Sequence, residues 1–209
     1  GSLSDFILAA NSRSELGRPS EKREHAFKLT KSTAISFQAS KLASLYRKKK
    51  HQINKLISQV EANLVYGPNT NKAEEACAVL GSLMGLKSKR PDKLKDTGPD
   101  VIWEGQNDYQ VCGFELKTDK DKDGEYFKKD IAQCHDHSEW LMTNFDEVYP
   151  LFIVGPRIPI SKQANPSSTL QIVEIDSMRD ILARTKLMHE AVDAGDKANL
   201  EQSFQNWLE

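Results

Sequence analysis

The stretch GFELKTDKDKDGEY, residues 113–126, holds two arrangements of charged side chains that could do chemistry. Glu115-Leu116-Lys117 sets a carboxylate and an ammonium two residues apart. In a strand both would leave the same face, while Cys112, Phe114 and Leu116 would line the other. Asp119, Asp121, Asp123 and Gly124 then fall at the first, third, fifth and sixth positions of a calcium loop, with Asp130 at the twelfth. The first arrangement suits phosphodiester hydrolysis and the second suits calcium binding.

For hydrolysis a second carboxylate is needed, and TGPDVIWE supplies Asp100 at the start of a short run of β-formers. Only the turn-like GQND separates that run from YQVCGFELKT. An antiparallel pair would therefore bring Asp100 alongside Glu115. Mg²⁺, or Mn²⁺ in its place, favours oxygen ligands, so Asp100, Glu115 and the backbone carbonyl of Leu116 form a candidate metal site. A metal there would polarise a phosphate and acidify a water. Lys117 would orient or deprotonate that water and offset charge in the transition state. The bland alternative is an exposed cross-strand ion pair on a solvated sheet face.

The calcium reading is less favoured. Its twelfth position should be Glu, and the segment entering the loop alternates like a strand where an EF-hand requires a helix. A solvated strand-to-helix loop explains the same charges. Cys134, His135 and His137 raise zinc, but these positions do not converge on a helix and no second ligand pair accompanies them, so surface histidines and a buried cysteine are expected. The chain has neither a phosphate-cradling Gly-rich loop nor a Gly-x-Ser-x-Gly elbow, which argues against nucleotide and serine-type hydrolysis.

The elements that must position these residues are legible in outline. Residues 1–24 read as an irregular lead-in. From about 31 to 64, Ile35, Ala39, Leu42, Leu45, Ile53, Leu56, Val60 and Leu64 recur at helical spacing, interrupted by YRKKKH. That interruption implies one long helix exposed at its centre or two helices joined there. Asn71 is a candidate cap for the next helix, with Glu74 three residues on. No first strand stands out between Met84 and Gly98. A helical pattern runs from Glu125 to Phe145 with Phe127, Ile131, Cys134, Leu141 and Met142 as apolar points. VYPLFIVG reads as a strand buried on both faces, LQIVEID as a further strand, and helices follow from about Met178 to the end. Trp103, Trp140 and Trp207 are expected as core or helix-packing aromatics. The order predicts an α/β fold with a central mixed sheet flanked by helices and a helical N-terminal extension.

With 209 residues, 38% of them hydrophobic, the chain can bury one full core. It contains no run near the ~20 apolar residues of a membrane helix, and its three scattered cysteines fit a reducing cytoplasm. The leading Gly1-Ser2 resembles a tag scar, leaving other domains of a longer parent protein open as partners. The net charge of −1 conceals an asymmetry. No Asp or Glu lies between Glu24 and Glu61, whereas Lys28, Lys31, Lys41, Arg47, Lys48, Lys49, Lys50 and Lys55 do. Of these, Lys41, Arg47, Lys48, Lys49, Lys50 and Lys55 are the candidate phosphate contacts, weighed against a merely solvated helix face.

Pro99-Asp100 and Glu115-Leu116-Lys117, in a strand-turn-strand context with a helix before and a helix and strand after, resemble the PD-(D/E)xK nuclease superfamily. The resemblance implies a restriction-endonuclease-like fold over residues 67–209, preceded by a basic helical region at 1–66. It also implies a Mg²⁺-dependent endonuclease acting on duplex DNA in restriction, repair or phage defence, with a homodimer open as an assembly. A Glu on the preceding helix often assists the metal in that superfamily, which points to Glu74 or Glu75. A polar residue on the following helix points to Gln133 as a further catalytic residue. The competing reading is a module that binds nucleic acid or a partner without chemistry.

Overall fold

The computed structural model describes residues 21–94, 97–105, 111–145, 149–167, 170–195 and 197–209. The lead-in through residue 20 and all but the first residue of the GQND turn lie outside the described residues. The strand Val111–Leu116 (β3) organises the rest, because its alternating side chains belong to two cores on opposite faces of one sheet. On one side it pairs antiparallel with Val101–Glu104 (β2), with Val101 opposite Phe114. On the other it runs parallel to Leu151–Val154 (β4), with Phe114 opposite Phe152. Leu170–Val173 (β5) lies parallel to β4 at one edge, and Lys87–Lys89 (β1) lies antiparallel to β2 at the other. The protein is thus α/β, with a five-stranded mixed sheet in the order β1-β2-β3-β4-β5 flanked by helices.

β1 is the first strand that the sequence did not reveal. Its three residues, Lys-Ser-Lys, contain no β-former with an apolar side chain, so no hydrophobic period marks it. Its partner holds it instead: Lys87 and Lys89, on one face, both reach the Glu104 carboxylate, at 2.7 and 2.6 Å.

One sheet face packs under helices α1 (Glu21–Asn63), α2 (Thr70–Leu83), α4 (Ile175–Ala194) and α5 (Leu200–Leu208). Trp103, Phe114 and Phe152 stack across neighbouring strands in this core, with ring centroids 4.3 and 5.5 Å apart. Helix α1 leaves helical geometry at Lys49, inside the basic cluster. Its buried positions are Ile35, Ala39, Leu42, Ala43 and Tyr46 before the break and Ile53, Ile57 and Val60 after it, with Leu64 buried just past its end. No apolar residue between Tyr46 and Ile53 ties the chain to the core, so the helix can break there without losing contacts. The buried stripe uses Tyr46 and Ile57 where the sequence pointed to Leu45 and Leu56, which are only partly buried.

Helix α2 is capped by Asn69, whose side chain accepts the Lys72 N–H, and not by Asn71. It ends at Gly85, whose φ of +80° is a left-handed conformation that glycine adopts without cost. The second sheet face is covered by α3 (Lys128–Phe145), through Ile131, Cys134 and Leu141. This helix begins later than its pattern suggested. Tyr126 is fully buried, bridges to Ile160 and donates its hydroxyl to the Pro156 carbonyl at 2.8 Å, while Phe127 is exposed. Trp103 is a core residue as expected, but Trp207 is exposed. Among the described residues, no helix is long and apolar enough to cross a membrane.

Candidate active site

β2 and β3 bring the sequence-predicted residues together at one end of the sheet. The antiparallel register sets Val101 against Phe114, so Asp100 stands beside Glu115, one residue further along. Asp100 Oδ2 accepts the backbone N–H of Leu116 at 2.8 Å, which ties the end of β2 to β3. Glu115 and Lys117 leave the same face of β3, and the Lys117 ammonium donates to Glu115 Oε1 at 2.7 Å. It also donates to Gln133 Oε1 on α3, at 2.9 Å. Together with Thr70, Glu74, Leu116, Asp119, Lys120, Lys129 and Asp130, these residues line an open cleft of about 410 Å³.

The alternative of an exposed ion pair on a solvated face does not hold, because α3 covers that face and Glu115 is only 1% exposed. Its second oxygen, Oε2, lies 2.7 Å from His137 Nδ1, close but poorly aligned, and neither atom has another partner among the described residues. His137 is therefore not the surface histidine expected from sequence. It sits four residues after Gln133, on the same helix face, and is buried. The i, i+4 spacing of Gln133 and His137 was the available signal, but only the docking of α3 on β3 gives it meaning.

The electrostatics follow from burial and neighbours. Burial, reinforced by the Glu115 carboxylate, pushes the Asp100 carboxyl up to about 7 despite the Leu116 N–H. Burial would also raise Glu115, but His137 and Lys117 outweigh it and hold that carboxyl below its ordinary value. For Lys117, burial favours the neutral amine, yet Glu115 and then Asp100 overcome it and raise the pKa. Lys117 is thus a cation at neutral pH, which suits it to holding a water and offsetting negative charge and not to removing a proton.

Glu74 faces the cleft and Glu75 is exposed, which separates the two candidates. Glu74 pairs with Arg90, and single oxygens of Glu74, Asp92 and Asp100 lie within 4.8 Å of one another. Arg90 and Asp92 went unnoticed in the sequence because they sit in a Lys-rich stretch that reads as a solvated charge run. No family model, curated protein or solved structure matches the chain. The site has to be read from its own geometry.

The calcium-loop residues do not converge. Asp119, Asp121 and Asp123 are exposed, and β3 rather than a helix enters the loop. Asp130 is committed elsewhere: its Oδ2 accepts the Phe127 N–H at 2.8 Å and pairs with Lys120 at 2.6 Å. Burial would raise Asp130, but Lys120 and that N–H hold it low.

The basic residues of α1 form a separate surface. Lys41, Arg47, Lys48, Lys49 and Lys55 are exposed, whereas Lys50 pairs with Asp193 at 3.0 Å and is not simply a solvent-facing cation. Asn63 lies 14 residues beyond Lys49, about 20 Å of helix rise, and the chain after it is tied by the Gly67 N–H to the Thr118 carbonyl at 2.9 Å, next to the cleft residues Lys117 and Asp119.

Proposed function

We propose that this protein is a divalent-metal-dependent endonuclease that hydrolyses phosphodiester bonds in DNA, on a restriction-endonuclease-like fold. The observation that carries this reading is the placement of Asp100, Glu115 and Lys117 on one open cleft. There two carboxylates lie close enough for Glu115 to help raise Asp100 to about 7. Glu115 is paired with the Lys117 ammonium, whereas Asp100 accepts the Leu116 N–H and, among the described residues, forms no ion pair, so Asp100 is the carboxylate left for a metal to balance. The order α2-β1-β2-β3-α3-β4 agrees with what the PD-(D/E)xK resemblance implies.

The donor set fits Mg²⁺ or Mn²⁺, since Asp100, Glu115 and the Leu116 carbonyl offer only oxygens, with Glu74 on the same wall. When bound, such a metal supplies Lewis acidity toward a phosphate oxygen and lowers the pKa of a water. Lys117, held by Glu115 and Gln133, donates hydrogen bonds toward the attacking water and offsets charge developing on the phosphate. The exposed bases of α1 are assigned to the DNA backbone, which they would hold by phosphate contacts. The buried free thiols of Cys77, Cys112 and Cys134 favour a reducing cytoplasm. Restriction, repair or phage defence would each suit such an activity, by analogy alone.

A cleavage assay on plasmid and linear duplex DNA tests the reading, with Mg²⁺, Mn²⁺, Ca²⁺ or EDTA present. Nicking or linearisation with Mg²⁺ or Mn²⁺, abolished by EDTA, is expected. DNA binding without cleavage under every metal condition would replace it with a module that binds without chemistry.

A further inference from the structure

Two residues of one helix meet two residues of one strand at the cleft wall. Gln133 and His137, four apart on α3, face Lys117 and Glu115, two apart on β3, and each helix residue touches one strand residue. Gln133 lines the cleft beside Lys117, whereas His137 lies behind Glu115 and does not line it. The Glu115 carboxylate is therefore approached from two sides, Oε1 by the cleft-facing Lys117 and Oε2 by the buried His137.

We infer that His137 is a positioning residue that fixes the orientation of the Glu115 carboxylate from behind, so that Oε1 is the oxygen turned toward the cleft. The inference rests on the metal-dependent reading of that cleft for its consequence, but not for its geometry. Glu115 is almost wholly buried, and a carboxylate in such a place is held by the hydrogen bonds it accepts. Lys117 alone would leave Oε2 unsatisfied and the carboxyl plane free to rotate about its last torsion, which is broad and nearly two-fold. His137 Nδ1–H closes that freedom once the two groups align. Residues behind a ligand that orient it in this way typically change metal affinity 10–100-fold when removed.

His137→Phe keeps the ring and removes the donor, while His137→Asn places an amide N–H near the position of Nδ1. Mn²⁺ titration by calorimetry on wild type and both variants, with thermal melting to verify folding, gives the first readout. His137→Phe should bind Mn²⁺ ~10–100-fold more weakly than wild type, with His137→Asn recovering most of the loss. Equal affinity in all three would overturn the inference.

A second readout needs no metal. In ¹⁵N-histidine-labelled wild type the His137 Nδ1 should carry a proton protected from exchange, and Glu115→Ala should abolish that protection while the buried His189, bonded to the Leu83 carbonyl, stays protected and so reports an intact fold. An Nδ1 without a proton, or one whose protection survives Glu115→Ala, overturns the inference even if the metal reading stands. Wild type that binds no Mn²⁺ while His137 Nδ1–H is protected by Glu115 overturns the metal reading and leaves the positioning contact established.

Discussion

Asp100 accepts the backbone N–H of Leu116 at 2.8 Å, so the carboxylate at the head of β2 is anchored to the strand that carries Glu115 and Lys117. The bond spans the antiparallel pair at the point where its ladder ends, and it replaces a backbone acceptor with a side chain. One carboxylate oxygen is spent on structure, and the other stays available to the cleft. A substitution at Asp100 therefore touches both the chemistry and the strand ends.

Asp100→Asn retains an acceptor for Leu116 N–H and removes the charge. It is expected to fold as wild type and to lose cleavage below detection. Glu115→Gln should do likewise, whereas Glu115→Ala should also destabilise the fold by ~3–5 kcal/mol, because it leaves the cationic Lys117 without the carboxylate it is packed against. Lys117→Met should fold and lose ~10²–10³-fold in rate. Urea unfolding and plasmid cleavage run in parallel separate these effects. Wild-type cleavage by either carboxylate variant would remove the metal-site argument.

Metal affinity should depend on pH through Asp100. Its carboxyl is raised from 3.8 to about 7, so the metal-free fold favours the protonated form. That contribution to stability is greatest below about 3.8, declines as pH rises and is gone above about 7. A cation must displace the proton below about 7, and observed Mn²⁺ affinity should then fall roughly tenfold per pH unit, with a plateau above. Calorimetry across that range in buffers of different ionisation enthalpy would also count the released proton. A flat profile would mean that Asp100 is already ionised or is not a ligand.

The aspartates of the 119–124 loop are expected to be dispensable. Replacing Asp119, Asp121 and Asp123 together with Asn should leave Mg²⁺-dependent cleavage largely intact, since Asp121 and Asp123 lie off the cleft, Asp119 is an exposed residue of its wall that is not part of the Asp100, Glu115 and Lys117 cluster, and Asp130 is held by Lys120 and the Phe127 N–H. Tight Ca²⁺ binding by wild type that disappears in the triple variant would reverse the ranking of the two candidate sites.

The basic face of α1 should govern affinity and salt dependence without touching the chemical step. Changing Arg47, Lys48, Lys49 and Lys55 to Gln is expected to weaken binding to unrelated duplexes by a similar factor. It should also reduce the slope of log affinity against log salt by ~0.9 per lost contact, while sparing the rate at saturating DNA. Lys50 is left in place because its pairing with Asp193 ties α1 to α4. Fluorescence anisotropy over a salt series reads the slope. An unchanged slope would assign this face to solvent or to another protein.

What the sequence determined by itself is whatever depends on local period and short range. The alternation of VCGFELKT put Glu115 and Lys117 on one face, and a short connection from DVIWE made Asp100 their neighbour. The continuous apolar run at 151–154 marked a strand buried on both sides. These follow from the pleat and from loop length, and both are written in consecutive residues. Tertiary structure decided the rest, because it depends on what packs against what. Lys-Ser-Lys is a strand only through Glu104 and the edge of β2, and Asn69 rather than Asn71 caps α2 because the helix already begins at Thr70, which puts Asn71 inside its first turn. α1 breaks at Lys49 where no apolar contact spans the basic cluster. Above all, no pattern along the chain reveals that α3 lies over β3. That docking buries Glu115, brings His137 and Gln133 to it and to Lys117, and turns a charged pair that could have sat in water into a site whose protons are held by its neighbours.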